Sequence, residues 1–242
     1  MTATLSHYGS GSQEPHSHDE SQLSLLLVGE VWEQARGSEQ DFIAGSVSFK
    51  PAGMRHSNRW GEAGALMFSL RFPHSREDPA LEAGWRLPNQ AKLMRSLAKL
   101  CILAEDEEVR SDLAKDIVAV CAGAAERMMG IPPRWLESVR CEIRDSEGLA
   151  SISGIAARIG AHRVYLSRAF TLHYGIPPAA YRLRCRAAHA IAAAVARPAS
   201  LAQSALEAGF CDQSHAARTV KNSTGLTLGE IVASLSTRPG RR

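Results

Sequence analysis

The chain has 242 residues, 45% of them hydrophobic, which supplies cores for two ordinary domains and excludes a disordered chain. Its formal charge of +3 is unevenly spread: residues 132–242 hold 15 Lys+Arg against 7 Asp+Glu, and residues 1–131 hold 13 against 18. A basic C-terminal half beside an acidic N-terminal half points to a polyanionic partner for the former.

The N-terminal stretch MTATLSHYGSGSQEPHSH lacks an apolar h-region and is not read as a signal peptide. The longest apolar runs, such as SLLLVG around Leu25, are too short to span a bilayer, so no membrane partner is expected. The five cysteines (Cys101, Cys121, Cys141, Cys185, Cys211) are odd in number and widely separated, without a C-x-x-C pair. That argues against a disulfide framework or a zinc finger and for a reducing compartment; a cytoplasmic protein is expected. Residues 16–72 carry short apolar runs (LSLLLVGEVWE, GSVSFKPAG, ALMFSLRF) broken by Gly and Pro, which read as strands and turns. His16 and His18 project from one face of an extended strand, and His56 follows in GSVSFKPAGMRH. Imidazoles converging from different strands can hold a divalent metal.

The spacing Gly11-x4-His16-x-His18-x3-Gln22-x6-Gly29, followed by Gly45-x5-Pro51-x-Gly53-x2-His56, resembles the two motifs of the cupin β-barrel. The resemblance implies a metal site at His16, His18, Gln22 and His56. Gln22 stands where that family has Glu, and Trp60 where it has Asn. A neutral amide is a weaker ligand than a carboxylate for a hard cation, which leaves a three-histidine site as the reduced form. Three roles compete for this barrel: a sensor pocket for a small effector, a metal-dependent enzyme such as a dioxygenase or isomerase, and a remnant whose histidines are merely hydrogen-bonded or solvated. Trp32, Phe42, Phe49, Trp60, Met67 and Phe68 are candidates to line a sensor pocket or to form plain core.

Residues 77–131 lose the strand pattern. Apolar residues at helical spacing in PNQAKLMRSLAKLCILAEDEEVRSDLAKDIVAVCAGAAERM predict two or more helices. Leu93, Leu97, Leu100 and Leu103 form a stripe, either a homodimer seam or packing against the barrel. The run Glu105–Glu108 reads as a solvated turn.

Residues 132–236 read as helical throughout, opened by Pro132-Pro133 and broken at Gly148, Gly160, Gly175, Gly209 and Gly225. In ISGIAARIGAHRVYLSRAF, Ile155 and Ile159 make an apolar face, Ala156 permits close helix approach, and Gly160 turns the chain. In the next helix Leu166 and Phe170 point inward, while Val164, Ser167, Arg168 and Thr171 share the opposite face, the one expected to enter a DNA major groove. Arg168 has the fork to bond guanine, and Ser167 suits any base edge or a phosphate. The pattern returns in AQSALEAGFCDQSHAARTVKN: Ala205 and Gly209 repeat the Ala-x3-Gly spacing, Ala216 and Val220 face inward, and Gln213, Ser214, Arg218 and Lys221 face outward. Asp212 suits an N-cap. Between the units one helix over about 178–195 makes a rod roughly 27 Å long, with Arg182, Arg184 and Arg186 available for phosphate.

Residues 136–235 resemble the DNA-binding domain of AraC-type (AraC/XylS) transcription regulators, on IAARIGAHRVYLSRAF, HYGIPPAAYRLRCRAAHA and ALEAGFCDQSHAARTVKNSTGLT in that order. The resemblance implies base contacts at Val164, Ser167 and Arg168 and at Gln213, Ser214 and Arg218. Ala216 and Val220 stand where that family has bulky aromatics, Leu228 where it has Pro, and Ile231-Val232 where it has Tyr-Arg, which predicts a second unit packed more loosely than the first. The expected chain is an α+β multidomain protein: a cupin-like β-barrel sensor over residues 1–76, a helical linker and dimerisation region over 77–131, and an all-α domain of two helix-turn-helix units over 132–242. Its expected partners are double-stranded promoter DNA, a small effector, RNA polymerase and a second copy of itself. The alternative is a metal-dependent cupin enzyme carrying a DNA-binding tail.

Overall fold

The computed structural model describes residues 1–73, 81, 83–86, 88, 90–123, 132–198 and 200–236. The expected boundary at 76/77 and the last part of the expected linker, 124–131, lie outside the described residues. The chain divides into two compact units, Met1–Arg127 with Lys221–Arg242, and Met128–Val220.

The first unit is built on a seven-stranded antiparallel sheet of β1 (Thr2–Tyr8), β2 (Gly11–His16), β3 (Ser21–Ala35), β4 (Ser38–Phe42), β5 (Val47–Lys50), β6 (His56–Phe72) and β7 (Gly84–Arg86). The order is β1-β6-β3-β5-β7, with β2 added to β6 and β4 to β3. Alternation along the strands sorts side chains by face. Leu23 lies across from Phe49 and Leu70, and Leu25 across from Val47 and Phe68, which gives one apolar face. The intervening positions put Gln22, Ser24, Ser48, Lys50 and Ser69 on the other face. There Gln22 Nε2 donates to Ser24 Oγ (2.8 Å), Ser24 and Ser69 hydroxyls meet at 3.1 Å, and Lys50 Nζ donates to Ser48 Oγ (3.0 Å). Buried hydroxyls are satisfied by one another, as a dry interior requires.

Two features depart from the sequence reading. Strand β7 lies in a stretch expected to be helical; it pairs with β5, with Gly84 across from Phe49 and Trp85 across from Ser48. Three residues are too few to show a period, so only the pairing edge of β5 defines them. The second departure concerns α1 (Ala91–Leu103), followed by α2 (Glu107–Gly123). The leucine stripe is not the buried face of α1: Met94, Ala98 and Cys101 are buried, whereas Leu93, Leu100 and Leu103 are exposed. At its far end this unit includes α9 (Leu228–Ser236), which packs on β1. A capping box opens α9: Thr227 N–H donates to Glu230 Oε2 (2.7 Å), and Glu230 N–H to Thr227 Oγ1 (3.1 Å).

The second unit is helical: α3 (Arg134–Asp145), α4 (Ile152–Arg158), α5 (Arg163–Tyr174), α6 (Pro178–Ala196), α7 (Leu201–Glu207) and most of α8 (Gln213–Thr224). Leu136, Val139 and Ile143 of α3, Leu166 and Phe170 of α5, and Ala187, Ala190, Ile191 and Ala194 of α6 are fully buried. A polar pin joins α3 to α5. Glu137 accepts from Tyr174 Oη (2.7 Å) and from two guanidinium nitrogens of the buried Arg140, whose plane lies 5.7 Å from the Tyr174 ring. Burial pushes the Glu137 carboxyl up, but the bonds from Arg140 and Tyr174 outweigh it and hold the group below its usual range.

Candidate functional site

Each helix-turn-helix begins with a short helix ended by a left-handed glycine. Ser151 caps α4 by accepting from Gly154 N–H, and Ile155 and Ala156 are buried. Gly160 (φ +66°) and Gly209 (φ +73°) turn the chain at equivalent points. A side chain with Cβ is strained at such φ values, which is why both turns need glycine. Ile159, expected on the apolar face of α4, is instead the C-cap and is 38% exposed, because the helix ends before it completes that face.

On α5, Leu166 and Phe170 are fully buried. Val164 and Arg168 are exposed, and Ser167 and Thr171 are half-buried. The Thr171 hydroxyl donates to Ser167 O (2.8 Å), so that donor is engaged within the helix. His162 opens α5 by accepting from Val164 N–H (3.3 Å). On α8, Ala216 and Val220 are fully buried, while Gln213, Ser214, Arg218 and Lys221 are exposed. Asp212 caps α8 by accepting from His215 N–H (2.7 Å). The smaller side chains of the second unit are gathered in one closed cluster, Ala190, Ala205, Ala208, Phe210 and Ala216. Phe210, from the turn rather than from the helix, supplies the bulk.

The sequence reading missed two features here. The outward surface of α5 also carries Tyr165 and Leu172, both among the most exposed large apolar residues of the described chain, and Tyr165 stacks on Trp135 of α3 (5.8 Å). The second is the role of Arg186. Its Nε donates to Gly148 O (2.9 Å) and its Nη1 to Gly209 O (3.0 Å), so one guanidinium joins the turn after α3 to the turn of the second unit. Arg182 is half-buried and donates from Nη1 to Ala150 O (3.3 Å). Glycine carbonyls at turns were the available signal, since they lie open to a long donor side chain.

In the first unit, His16 and His56 face each other across β2 and β6, and His18 follows two residues after His16. Their ring centroids lie 4.4–5.3 Å apart. One nitrogen from each lies within 4.8 Å of the others. Two nitrogens on one tetrahedral zinc lie roughly 3.4 Å apart, so three ligands fit after a small closure. Carbonyl oxygens lie against Nδ1 of His16 (Glu14 O, 2.8 Å) and of His56 (Met54 O, 3.2 Å). With each Nδ1–H donated there, Nε2 keeps its lone pair for a metal. Burial, helped by the charge of Lys50, lowers the His56 pKa to about 4, and burial likewise lowers that of His18, so both rings are neutral at neutral pH. Gln22 is committed through Nε2 to Ser24 and stands across from Lys50 and Arg71 rather than across from a histidine. Beside the histidines, Lys50 Nζ and Glu33 Oε2 form a nearly fully buried ion pair (2.8 Å), which the sequence reading did not foresee. Of the aromatic residues considered for a pocket, Phe42 lines a cavity, Trp60 stacks on Tyr8, and Trp32 lies beneath the Arg59 guanidinium.

Paired short helices, glycine turns and the exposed faces of α5 and α8 define two helix-turn-helix units. Residues 155–234 match the family model described as a helix-turn-helix domain, so that segment of the chain is a helix-turn-helix domain. A comparison with curated proteins finds no match. Among solved structures the chain is similar to the AraC-like transcriptional activator CuxR (17% identity, 69% of this chain and 69% of that one, TM-score 0.40). It is also similar to ToxT from Vibrio cholerae O395 (10% identity, 98% of each chain, TM-score 0.42). At TM-scores this low the domain match alone carries the assignment. No helix among the described residues is long and apolar enough to cross a membrane.

Proposed function

We propose that the chain is a cytoplasmic, ligand-responsive regulator that binds promoter DNA through α5 and α8, reads a small effector in its N-terminal sheet domain, and acts on RNA polymerase at the promoter. The observation that carries this reading is the repeated helix-turn-helix, with Val164, Ser167, Arg168 and Thr171 on one reading face and Gln213, Ser214, Arg218 and Lys221 on the other. Arg182 is the weaker member of the set, because a backbone carbonyl already holds part of its guanidinium.

The N-terminal unit is a cupin-type barrel in this reading, and His16, His18 and His56 hold a nitrogen-preferring transition ion, with Gln22 outside the ligand set. Three neutral imidazoles without a carboxylate suit zinc or a similar ion better than magnesium or calcium. When bound, the ion supplies a Lewis-acidic point to which an effector can attach. No catalytic role is assigned to the chain. The exposed leucines of α1 support a homodimer: Leu93, Leu100 and Leu103 form an apolar stripe that the described part of the unit does not cover. An effector controls DNA binding only if it binds the two states of the protein with different affinity.

Genome-wide mapping of bound DNA, followed by gel shifts on the recovered fragments, tests the central claim. Recovery of a shared sequence motif next to promoters supports it. Equal binding to unrelated duplexes at the same salt concentration refutes sequence-specific regulation.

A further inference from the structure

We infer that the cavity between the end of β3, β4 and β7 is a small-molecule site, and that it takes a flat, uncharged ring carrying an N–H or O–H donor. This inference rests on the effector-sensing reading and names the ligand chemistry of that domain.

The cavity measures about 270 Å³ and is lined by Glu33, Phe42, Met54 and Trp85, with Arg36 and Gln40 toward solvent. None of the three histidines lines it. An apolar cavity of about 150 Å³ holds one benzene ring, so this one has room for a fused bicycle. Its wall is aromatic: the Phe42 and Trp85 rings stack with centroids 4.2 Å apart and 18° between planes. A flat ligand continues such a stack.

Glu33 decides the polarity of the ligand. Its carboxylate is nearly fully buried and already neutralised by Lys50 at 2.8 Å. An ionised carboxylate only accepts hydrogen bonds, and one ammonium leaves it with further lone pairs. A ligand group reaching it must therefore donate. An anionic group there is repelled by Glu33, and a cationic one adds a second positive charge beside Lys50. A neutral N–H or O–H meets neither objection. A second observation also calls for a partner: Trp85 Nε1–H is buried without an acceptor among the described residues. Such a group carries a desolvation penalty that an acceptor brought by a ligand removes.

Calorimetric titration of the full chain with indole, 1-methylindole and benzoate tests this. Indole has the ring and the donor, 1-methylindole has nearly the same shape without the donor, and benzoate is an anion. Indole should bind at least about tenfold more tightly than 1-methylindole, as expected for a hydrogen bond to a charged acceptor, and benzoate should not bind. Ala35→Leu, which fills the cavity and leaves the ion pair in place, should abolish indole binding without lowering the melting temperature. Equal affinities for indole and 1-methylindole, preference for benzoate, or full indole binding by a folded Ala35→Leu protein each overturn the inference. Gel shifts with and without indole separate it from the sensor reading. Donor-selective binding that leaves DNA affinity unchanged supports the site and counts against sensing. A DNA response to some other compound, with no indole binding, overturns the site and leaves sensing intact.

Discussion

The two helix-turn-helix units share a left-handed glycine turn, at Gly160 and at Gly209, but are packed with different materials. In the first, Phe170 is surrounded by aromatic rings, with Tyr174 at 4.5 Å and Tyr181 at 5.6 Å between centroids. In the second, the inward residues of α8 are Ala216 and Val220, and Phe210 fills the space from the turn. The outward faces differ as well. That of α5 mixes Arg168 with exposed Val164, Tyr165 and Leu172, whereas that of α8 is polar, with Gln213, Ser214, Arg218 and Lys221. A core tolerates different residues where volume and pattern are kept, so the inward residues can differ between the units while each outward face varies on its own. Apolar groups on α5 suit thymine methyls, and the polar set on α8 suits base edges and phosphates.

The largest expected effect breaks the packing side of this comparison. Phe170→Ala empties the middle of a ring cluster and should cost about 3–5 kcal/mol in denaturant unfolding. Ala216→Leu instead overfills the second unit and should cost about 1–3 kcal/mol. Equal tolerance of both changes would show that neither core is as closed as its burial indicates. The next effect concerns reading. Arg168→Ala should cost on the order of 1–3 kcal/mol on the best site and relax preference at one base pair; a gel-shift series that loses affinity equally on every sequence would remove base readout from Arg168. The smallest effect sharpens the contrast between base and backbone contacts. Lys221→Ala should weaken binding evenly across sequences and reduce the salt slope by about one unit, and an unchanged slope would remove Lys221 from the phosphate contacts.

The helical half was legible because its signals are local. The Ala-x3-Gly spacing, the glycine breaks and the inward pairs Leu166/Phe170 and Ala216/Val220 each lie within a few turns of helix, and their burial follows the expected face. The three histidines do come together, but not by the expected route: β2 ends at His16, and His18 lies beyond it rather than on the same strand. What escaped notice depends on partners distant in sequence. Strand β7 exists only as a neighbour of β5, some 35 residues earlier. The Glu33–Lys50 pair joins strands, and nothing local distinguishes Glu33 from a surface acid. The stripe on α1 was seen, but which stripe of a helix is buried depends on what it meets, and Met94, Ala98 and Cys101 took that place.

Arg186 has a consequence for the DNA. Its planar fork bonds two carbonyls, Gly148 O and Gly209 O, which a lysine ammonium cannot do with the same fixed geometry. Together with the continuous helix α6 it makes the reading head stiff. A stiff head cannot adjust its own span to a straight duplex, so the strain of fitting falls on the nucleic acid. If α5 and α8 each occupy a groove as proposed, duplexes with easily deformed pyrimidine–purine steps between those grooves should be bound more tightly than stiff A-tracts.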